Sequence, residues 1–416
     1  MTDERNRVGT QALGRTYTRR GVLKGGVAAS VGAMALTAFG GSFTAGAAAA
    51  SNSPDSPGAV YAMTNEASGN RVMVFNRAGD GTLTPAGSFP TGGTGSGTFE
   101  NTAGGLILTG QSPDNIGGGN RYLFATNAGS NSLSVFQTRP DGSLVLAAVQ
   151  PSGGVGPISV TFRKKVVYVL NGGGSQGSGA PPNITGFTVG AQGALTPIPG
   201  STRPVAGSSA SGVAQIGFNP NGNVLVVTER GDGTIIDTYR VDNNGLATGP
   251  IVNTSPNIMG PFGFAFTQRG QLLVCINRGG AMGLGAASSF AVPDTGVLVP
   301  ISGPVNNTRS DTCWLVNTDN GKYAYVTNFQ SGDLSSYRVE PDGTLTLLNP
   351  IAAIVGPPES GPADQALSNN SQYLYVRVIS DGTISAFKVD GATGSLTPIQ
   401  TIGGLPPGGA IGIAAK

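Results

Sequence analysis

One phrase recurs along this chain. An apolar run ends in a polar residue, and then come a second alternating run, a pair that contains Gly, and a third run. The first run ends at Asn65, Asn127, Asn171, Glu229, Asn277, Asn328 and, in a last apolar copy, Val378. Such alternation is typical of half-buried strands, and Gly supplies the positive φ of a tight hairpin. Units that recur 44 to 62 residues apart predict a propeller or a solenoid.

A fourth apolar run precedes each later unit. The last of these runs, "AIGIAAK" (410–416), has no unit after it, and the first unit has no such run before it. We therefore expect an all-β fold: a seven-bladed β-propeller of four-stranded antiparallel blades, closed where the C-terminal strand joins the N-terminal blade. The composition suits many short strands joined by turns, because charged residues are only 11% and Gly is 68 of 416 residues.

A family resemblance rests on the sixth unit. Tyr325, Val326, Thr327 and Asn328, followed by "GDLSSYRVEPDGTL" (332–345), resemble the lactonase-type seven-bladed propellers, the family of 6-phosphogluconolactonase and carboxymuconate cyclase. The same four residues are similar to the signature of the YVTN-type propellers. The resemblance extends over about residues 59–416 and implies the propeller fold and a lactone hydrolase as expectations.

The resemblance fails at one phrase. Lactonase-type propellers tend to carry Arg and His near the last blade, in a phrase like Pro-Arg-His-Phe, and the matching residues here are Pro362, Ala363, Asp364 and Gln365. A phosphorylated sugar lactone is therefore not the expected substrate, and a His-dependent cyclase mechanism is not expected either.

The N-terminus resembles an export signal of the twin-arginine type. Arg19 and Arg20 precede a Gly- and Ala-rich apolar run, which ends in "AGAAAAS" (45–51). The run is too short for a membrane span. We predict a signal peptide at 1–50, a short linker at 51–58 and the propeller at 59–416, so that the mature protein is secreted or associated with the cell envelope without a membrane span. The alternative is a basic tail followed by a short helix.

Charge and cysteine content exclude some classes of protein. Removing residues 1–50 takes away six basic and two acidic residues, so the net charge changes from +2 to −2. This charge does not predict a nucleic-acid partner. The two cysteines, Cys275 and Cys313, allow one disulfide, but two buried thiols are favoured because each lies in an apolar run. We expect a monomer.

The chain contains no His. This excludes a Ser-His-Asp triad, a His general base and a His-ligated zinc ion. A metal site would have to be built from oxygen ligands, as calcium sites are. No tight acidic spacing of that kind occurs, so we expect neither a metal nor another cofactor, and a calcium-like ion in the channel is not favoured.

Long Gly-rich segments indicate where binding would occur. The segments 89–105, 172–182 and 278–288 fall on connections that meet at the same face of a propeller, whereas the connections at the other face hold about four residues each. Variable loops on a rigid scaffold often carry the binding site. We expect the site on this face; the alternative is that these loops have no role.

The run that precedes each repeat becomes the innermost strand of a blade, so the first run of the repeat becomes its second strand. Candidate site residues lie where this second strand ends. Glu229 is the candidate general base, and Arg230 and Arg278 are candidates for polarising a carbonyl group. Asn side chains at the same position are candidate ligand-binding groups or, alternatively, caps of the following turn (Asn65, Asn127, Asn171, Asn277 and Asn328).

Two functions are compatible with these residues. The first is an exported lactonase-like enzyme that hydrolyses an unphosphorylated lactone, or binds a related anionic ligand, at the long loops. The second is a non-catalytic propeller that binds a ligand, a cell-wall component or a protein there.

Overall fold

The computed structural model describes residues 56–110, 121–173, 179–207, 212–231, 233–255, 258–409 and 411–416. The predicted signal peptide (1–50) and most of the linker lie outside these residues. Within the described residues, no helix has the length and apolarity that crossing a membrane would require.

The described chain is built from strands and two single 3-10 turns, Ala191–Gly193 and Arg278–Gly280. The strands are β1 (Gly58–Met63), β2 (Arg71–Arg77), β3 (Leu83–Pro90), β4 (Leu106–Leu108), β5 (Tyr122–Asn127), β6 (Ser132–Thr138), β7 (Leu144–Pro151), β8 (Pro157–Arg163), β9 (Val166–Asn171), β10 (Asn183–Val189), β11 (Leu195–Pro197), β12 (Arg203–Pro204), β13 (Val213–Phe218), β14 (Val224–Glu229), β15 (Ile235–Val241), β16 (Ala247–Thr254), β17 (Pro261–Phe266), β18 (Leu272–Ile276), β19 (Ala286–Ala291), β20 (Val299–Asn306), β21 (Thr312–Asn317), β22 (Tyr323–Asn328), β23 (Asp333–Val339), β24 (Leu345–Ile354), β25 (Pro362–Leu367), β26 (Tyr373–Val378), β27 (Thr383–Val389), β28 (Leu396–Ile402) and β29 (Ile413–Ala415).

These strands form seven antiparallel sheets, as the repeat predicts. From the inner to the outer strand, blade 1 is β29-β1-β2-β3, and blades 2 to 7 are β4 to β7, β8 to β11, β13 to β16, β17 to β20, β21 to β24 and β25 to β28. The short strand β12 pairs with β10 as an addition to blade 3. The all-β seven-bladed prediction is confirmed.

The ring is closed by the C-terminal strand. Strand β29 pairs antiparallel with β1, so that Val60 lies opposite Ala415 and Ala62 lies opposite Ile413. Lys416 extends the ladder, because its N–H donates to the carbonyl of Ala59 at 2.8 Å. The predicted closure is confirmed, and it removes the open inner edge that β1 would otherwise present.

A Gly stands in the turn between the third and fourth strands of every blade. Its φ lies between 75° and 92° in all seven turns, at Gly81, Gly142, Gly193, Gly245, Gly296, Gly343 and Gly394. At Gly81 a side chain would also meet the ring of Tyr373 at 2.4 Å. The hairpin signal in the sequence therefore has two causes, the left-handed backbone and the close approach of the neighbouring blade.

The outer strands are protected against pairing with other chains. Each contains a Pro, which cannot donate to a β-ladder: Pro85, Pro151, Pro197, Pro250, Pro300, Pro350 and Pro398. Proline on an edge strand is a common device against edge-to-edge association. The outer rim of the ring is thereby a poor template for strand addition.

Alternate connections define two faces of the ring. The long-loop face carries the connections from second to third strands and from one blade to the next, and it includes the three Gly-rich segments, as predicted. The short-turn face carries the other connections. One connection departs from expectation: β4 ends at Leu108 and β5 begins at Tyr122, so the connection between these two strands is longer than the predicted four residues.

Candidate functional site

A cavity of about 430 Å³ occupies the central channel. Its wall combines apolar side chains, such as Leu106, Phe264 and Trp314, with polar ones, such as Asn317 and Gln365. The turn residues Pro220, Gln268, Asp319 and Ser371 border it, so the cavity is reached from the short-turn face. A volume of this size is ordinary for a small-molecule site.

The channel is closed towards the long-loop face. We call residues 99–105, which lead into β4, the channel strap. The N–H of Ala103 donates to the carbonyl of Ala214 in blade 4 at 3.0 Å. The indole N–H of Trp314, in blade 6, donates to the carbonyl of Thr102 at 2.8 Å. The strap is thus bonded to blades on both sides of the channel.

Aromatic side chains pack around the strap. The ring of Phe99 lies 5.3 Å from that of Phe329, and Phe329 lies 5.9 Å from Trp314. The ring of Phe262 meets Trp314 edge-on at 5.0 Å. The strap and these rings fill the part of the channel where the sequence places the binding site, and the cavity lies at the other end.

Asp364 is the buried acid of the channel wall. It lies in the inner strand of blade 7 and is 9% exposed. Its Oδ2 accepts a hydrogen bond from the N–H of Gly104 at 3.3 Å, and its Oδ1 accepts one from the N–H of Gln365 at 3.0 Å. Burial raises the pKa of Asp364 to about 7, against the lowering effect of these two bonds. The carboxyl group therefore exchanges a proton near neutral pH.

Sequence reasoning did not assign a role to Asp364. The residue stands in the phrase where lactonase-type propellers tend to carry Arg and His, and in sequence it registers only as a mismatch. An acid inside a buried inner strand, "PADQAL" (362–367), in which Gln365 is the other polar residue, is the signal that identifies it.

Two glutamines of the wall join neighbouring inner strands. The Gln215 side chain donates to the carbonyl of Phe264 at 3.0 Å and accepts from its N–H at 2.8 Å. The Nε2 of Gln365 donates to the carbonyls of Trp314 and Tyr325. Their donors are occupied by backbone, whereas the Asn317 amide and the Gln365 Oε1 make no hydrogen bond to any described residue.

Glu229, the predicted base, is fully buried away from this cavity. Its Oε1 accepts from the N–H of Gly207 at 3.0 Å. On the next strand, the Oδ2 of Asp237 accepts from the N–H of Ala206 at 2.7 Å. Burial, followed by the neighbouring Glu229, raises the pKa of Asp237 to about 8. A proton on Asp237 lowers the cost of burying its carboxyl group beside that of Glu229.

Neither of the predicted arginines lies beside Glu229 as a partner. The Nε of Arg230 donates to the carbonyl of Asn101 in the strap at 3.2 Å, and its guanidinium lies 5.9 Å from the ring centre of Phe262. Burial lowers the pKa of Arg230. The backbone N–H of Arg278 donates to the carbonyl of Met259, and the buried side-chain Nε of Arg278 makes no hydrogen bond to any described residue. Among the described residues, no hydrogen bond or ion pair joins Glu229 to either arginine.

The asparagines at the ends of the second strands bond within the protein. Asn328 donates to Asp333 and Ser335 and accepts from Asn307 and Thr312, which uses the full capacity of an amide.

The other asparagines make related contacts. Asn127 repeats this pattern with Ser132, Ser134, Asn70 and Thr91. Asn65 bonds to residues 96 and 98, Asn171 to residues 152 and 183, and Asn277 caps the turn that begins at Arg278. These contacts agree with the turn-capping interpretation.

The two cysteines are buried and free, as favoured from the sequence. The thiol of Cys313 donates to the Oδ1 of Asp311 at 3.0 Å, and burial raises its pKa well above the ordinary value. A thiol held in this state is a weak nucleophile.

Comparison with solved structures places this geometry among known propellers. A candidate 6-phosphogluconolactonase of Bacteroides fragilis matches with a TM-score of 0.63 and 20% identity, over 87% of this chain and 98% of that chain. The periplasmic gluconolactonase of Pseudomonas aeruginosa matches with a TM-score of 0.62 and 18% identity, over 84% and 98% of the two chains. The fold is that of the lactonase-type propellers.

One further solved structure matches the fold, whereas the sequence comparisons find no match. A protein of Lactobacillus plantarum has the same fold, with a TM-score of 0.64 and 18% identity over 86% of this chain and 99% of that chain. No family model and no curated protein sequence matches the chain. Identities this low establish the fold, and the activity has to be argued from the site.

Proposed function

We propose that this protein is a lactone hydrolase whose site is the cavity of the central channel and whose general base is Asp364. One observation carries the proposal: a carboxyl group with a pKa of about 7 lies in the wall of a cavity large enough for a small molecule. A general base is most effective when its pKa is near the working pH.

The chemistry requires one proton carrier. The Asp364 carboxylate accepts a proton from a water molecule, and the water oxygen bonds to the carbonyl carbon of the lactone. The ring C–O bond then breaks, and the proton returns from Asp364 to the departing ring oxygen. The product is an open hydroxy acid and the carboxylate is restored, so a single Asp suffices without His.

Export is part of the proposal. The twin-arginine-like segment at residues 18–24 supports a site of action outside the cytoplasm. One structural neighbour is a periplasmic gluconolactonase, which is in keeping with such a location. A lactone available outside the cytoplasm and without a phosphate group is the corresponding substrate.

A non-catalytic binding module is the second candidate. No Lys or Arg is among the described residues that line the cavity. The negative charge that develops on a carbonyl oxygen during lactone opening would therefore lack a cationic partner there, and hydrolases usually stabilise this charge strongly. This observation favours binding without turnover.

Hydrolysis of δ-valerolactone by purified protein distinguishes the two. Asp364→Asn should lower kcat/KM at least about a hundredfold, the usual contribution of a general base, and circular dichroism should show that the variant is folded. Glu229→Gln tests the base that the sequence favoured, and it should keep the activity. If only Glu229→Gln loses activity, the catalytic base belongs to the Glu229–Asp237 pair and not to Asp364. If the wild-type protein does not hydrolyse the lactone, the non-catalytic binding function is the remaining candidate.

A further inference from the structure

We infer that three neighbouring blades of the short-turn face bind a phosphodiester polymer of the cell envelope. The inference does not depend on lactone hydrolysis and takes from the proposed function only export, which brings the protein to such a polymer. We call the binding surface the basic sector. It consists of the basic side chains that blades 2, 3 and 4 carry at this face: Arg121, Arg139, Arg163, Lys164, Lys165 and Arg240.

The basic sector differs in charge from the rest of its face. Among the described side chains that are not buried, it has six basic residues against two acids, Asp141 and Asp242, which leaves a formal charge of +4. Blades 5, 6, 7 and 1 carry five basic residues against six acids on the same face. These residues are Arg269, Lys322, Arg338, Lys388 and Lys416, and Asp80, Asp294, Asp319, Glu340, Asp342 and Asp390. The positive charge of this face is therefore concentrated in one sector.

The positive charges of the sector are not neutralised within the described chain. The carboxylates of Asp141 and Asp242 accept hydrogen bonds of 2.7–3.0 Å from groups of their own hairpin turns. No salt bridge joins a residue of the sector to another described residue. The Nε and Nη1 of Arg163 make no hydrogen bond to any described residue. These cations are available to an anionic partner.

Blades 3 and 4 bring their basic side chains together. The side chain of Arg163 crosses Gly222, in the first turn of blade 4, so closely that a Cβ there would lie 2.5 Å from its Cγ. The next residue of that turn, Asn223, accepts at its carbonyl from the N–H of Val241 at 2.7 Å. Arg240 precedes Val241, so the basic side chains of the two blades are neighbours.

Hydrogen bonds extend the sector to blade 2. The Nε2 of Gln137, two residues before Arg139, donates to the carbonyl of Gln192 in the hairpin turn of blade 3 at 2.8 Å. The N–H of Val189, where that hairpin begins, donates to the carbonyl of Lys165 at 2.7 Å. The basic residues of the three blades thus lie along one continuous surface, and an extended polymer can contact several of them at once.

The first turn of blade 3 carries a Lys where the backbone favours Gly. Lys164 has a φ of 59°, in the left-handed region. At the same connection of blades 4, 5 and 6 this conformation belongs to Gly222, Gly270 and Gly321, with φ of 75°, 88° and 69°. Gly adopts it at no steric cost, whereas a residue with a Cβ is strained there. The turn itself does not account for this Lys, whereas a role in binding an anion does.

The composition of the sector suits a phosphodiester chain without bases. Guanidinium groups bind phosphate through paired hydrogen bonds, and ammonium groups bind it as point charges. Proteins that bind single-stranded nucleic acid add aromatic rings on which the bases stack, and segments that lie on a membrane insert apolar side chains. Among the described residues, the turns of the sector expose neither an aromatic ring nor another large apolar side chain. A polymer of polyol units joined by phosphodiesters needs only the charges.

The binding test measures the affinity of the purified full-length protein for immobilised poly(glycerol phosphate). Lys164→Gly combined with Lys165→Gln removes two charges from the sector, and Lys322→Gln combined with Lys388→Gln removes two from the same face as a matched control. At about 50 mM salt, where charges are weakly screened, affinity should fall at least about tenfold in the sector variant and less than about twofold in the control. Lys164→Gly supplies the residue that the turn favours, and circular dichroism verifies that both variants are folded.

Three outcomes would overturn the inference. The first is an equal loss of affinity in both double variants, and the second is no binding of the polymer by the wild-type protein. The third is tighter binding, at equal phosphate concentration, of single-stranded DNA or of vesicles that contain phosphatidylglycerol, which would assign the sector to nucleic acid or to a membrane. Asp364→Asn changes a buried residue of the channel and should bind the polymer like the wild-type protein. The proposed catalytic role and this inference can therefore fail separately.

Discussion

The hydroxyl group of Tyr375, in the last blade, donates a 2.9 Å hydrogen bond to the carbonyl of Gly81, in the first blade. Tyr325 makes the same bond to Gly394 in the next blade at 2.9 Å. Tyr61, Tyr168, Thr238 and Ser289 repeat it to Gly142, Gly245, Gly296 and Gly343. At six of the seven blade junctions of the described chain, a hydroxyl of one blade thus binds the hairpin Gly of its neighbour.

The YVTN phrase therefore has a structural meaning. Tyr325 binds the neighbouring blade, Val326 is buried in the core, and Asn328 saturates its amide within the turn. The hydrogen bonds of Tyr325 and Asn328 are thus met within the protein, whereas the buried Oγ1 of Thr327 makes no hydrogen bond to any described residue. The signature therefore predicts a propeller.

Tyr375→Phe should destabilise the ring. The change leaves the buried Gly81 carbonyl without this donor, and the expected loss in the free energy of unfolding is about 1–3 kcal/mol. Tyr122→Phe is the matched control, because the Tyr122 hydroxyl makes no hydrogen bond to another described residue. Urea denaturation of the two variants provides the measurement, and equal stabilities would show that the closing bond contributes nothing.

Deleting residues 411–416 should open the ring. The inner strand β29 and its ladder with β1 are lost, and we expect a loss of several kcal/mol, about the upper end of single-site effects. Removal of residues 1–50 is the control at the other terminus and should leave the melting temperature of the propeller unchanged. If the protein that lacks residues 411–416 also melts at the wild-type temperature, β29 does not stabilise the ring.

Stability should fall as pH rises from about 4 to about 8. The folded protein keeps a proton on Asp237, whose pKa is raised to about 8, whereas the unfolded chain releases it near the ordinary value. Glu100 and Asp364, each with a pKa raised to about 7, act in the same direction.

Asp237→Asn should make the free energy of unfolding fall less steeply with pH, by up to about 1.4 kcal/mol per pH unit. Asp381 is exposed, and Asp381→Asn serves as the control, which should keep the wild-type pH dependence of the free energy of unfolding. The measurement is the free energy of unfolding at several pH values, and an unchanged pH dependence in Asp237→Asn would contradict a proton held on Asp237.

The proposed hydrolysis should depend on the ionisation of Asp364. The base acts as the carboxylate, so kcat/KM should rise with pH through about 7 and then level off. Initial rates on δ-valerolactone between pH 5 and 9 measure the profile, after subtraction of spontaneous hydrolysis. A flat profile, or an identical rise in Asp364→Asn, would exclude this base.

Replacing Arg19 and Arg20 by Lys should stop export. The paired arginines are the part of the N-terminus that resembles the twin-arginine signal, and the conservative change keeps its charge. Cell fractionation and blotting measure the exported fraction. Export at the normal rate would show that another feature directs the chain.

The sequence by itself determined the repeat and the closed ring that the repeat builds. Strand alternation, the hairpin Gly residues and the unpaired runs at the two ends predict seven closed blades, because these signals are local and each unit repeats them. The Asn residues at the strand ends were also readable as turn caps, because an amide satisfies backbone groups within a few residues.

The tertiary structure alone decided which end of the channel is open and which acid faces it. The strap enters the channel through bonds to Ala214, Trp314 and Asp364, which lie more than 100 residues away in sequence, and no local pattern encodes such contacts. In sequence Glu229 is an acid at a strand end, whereas in the fold its carboxyl group is buried beside Asp237. The charge state of an acid depends on burial and neighbours, and both are set only when the blades pack together.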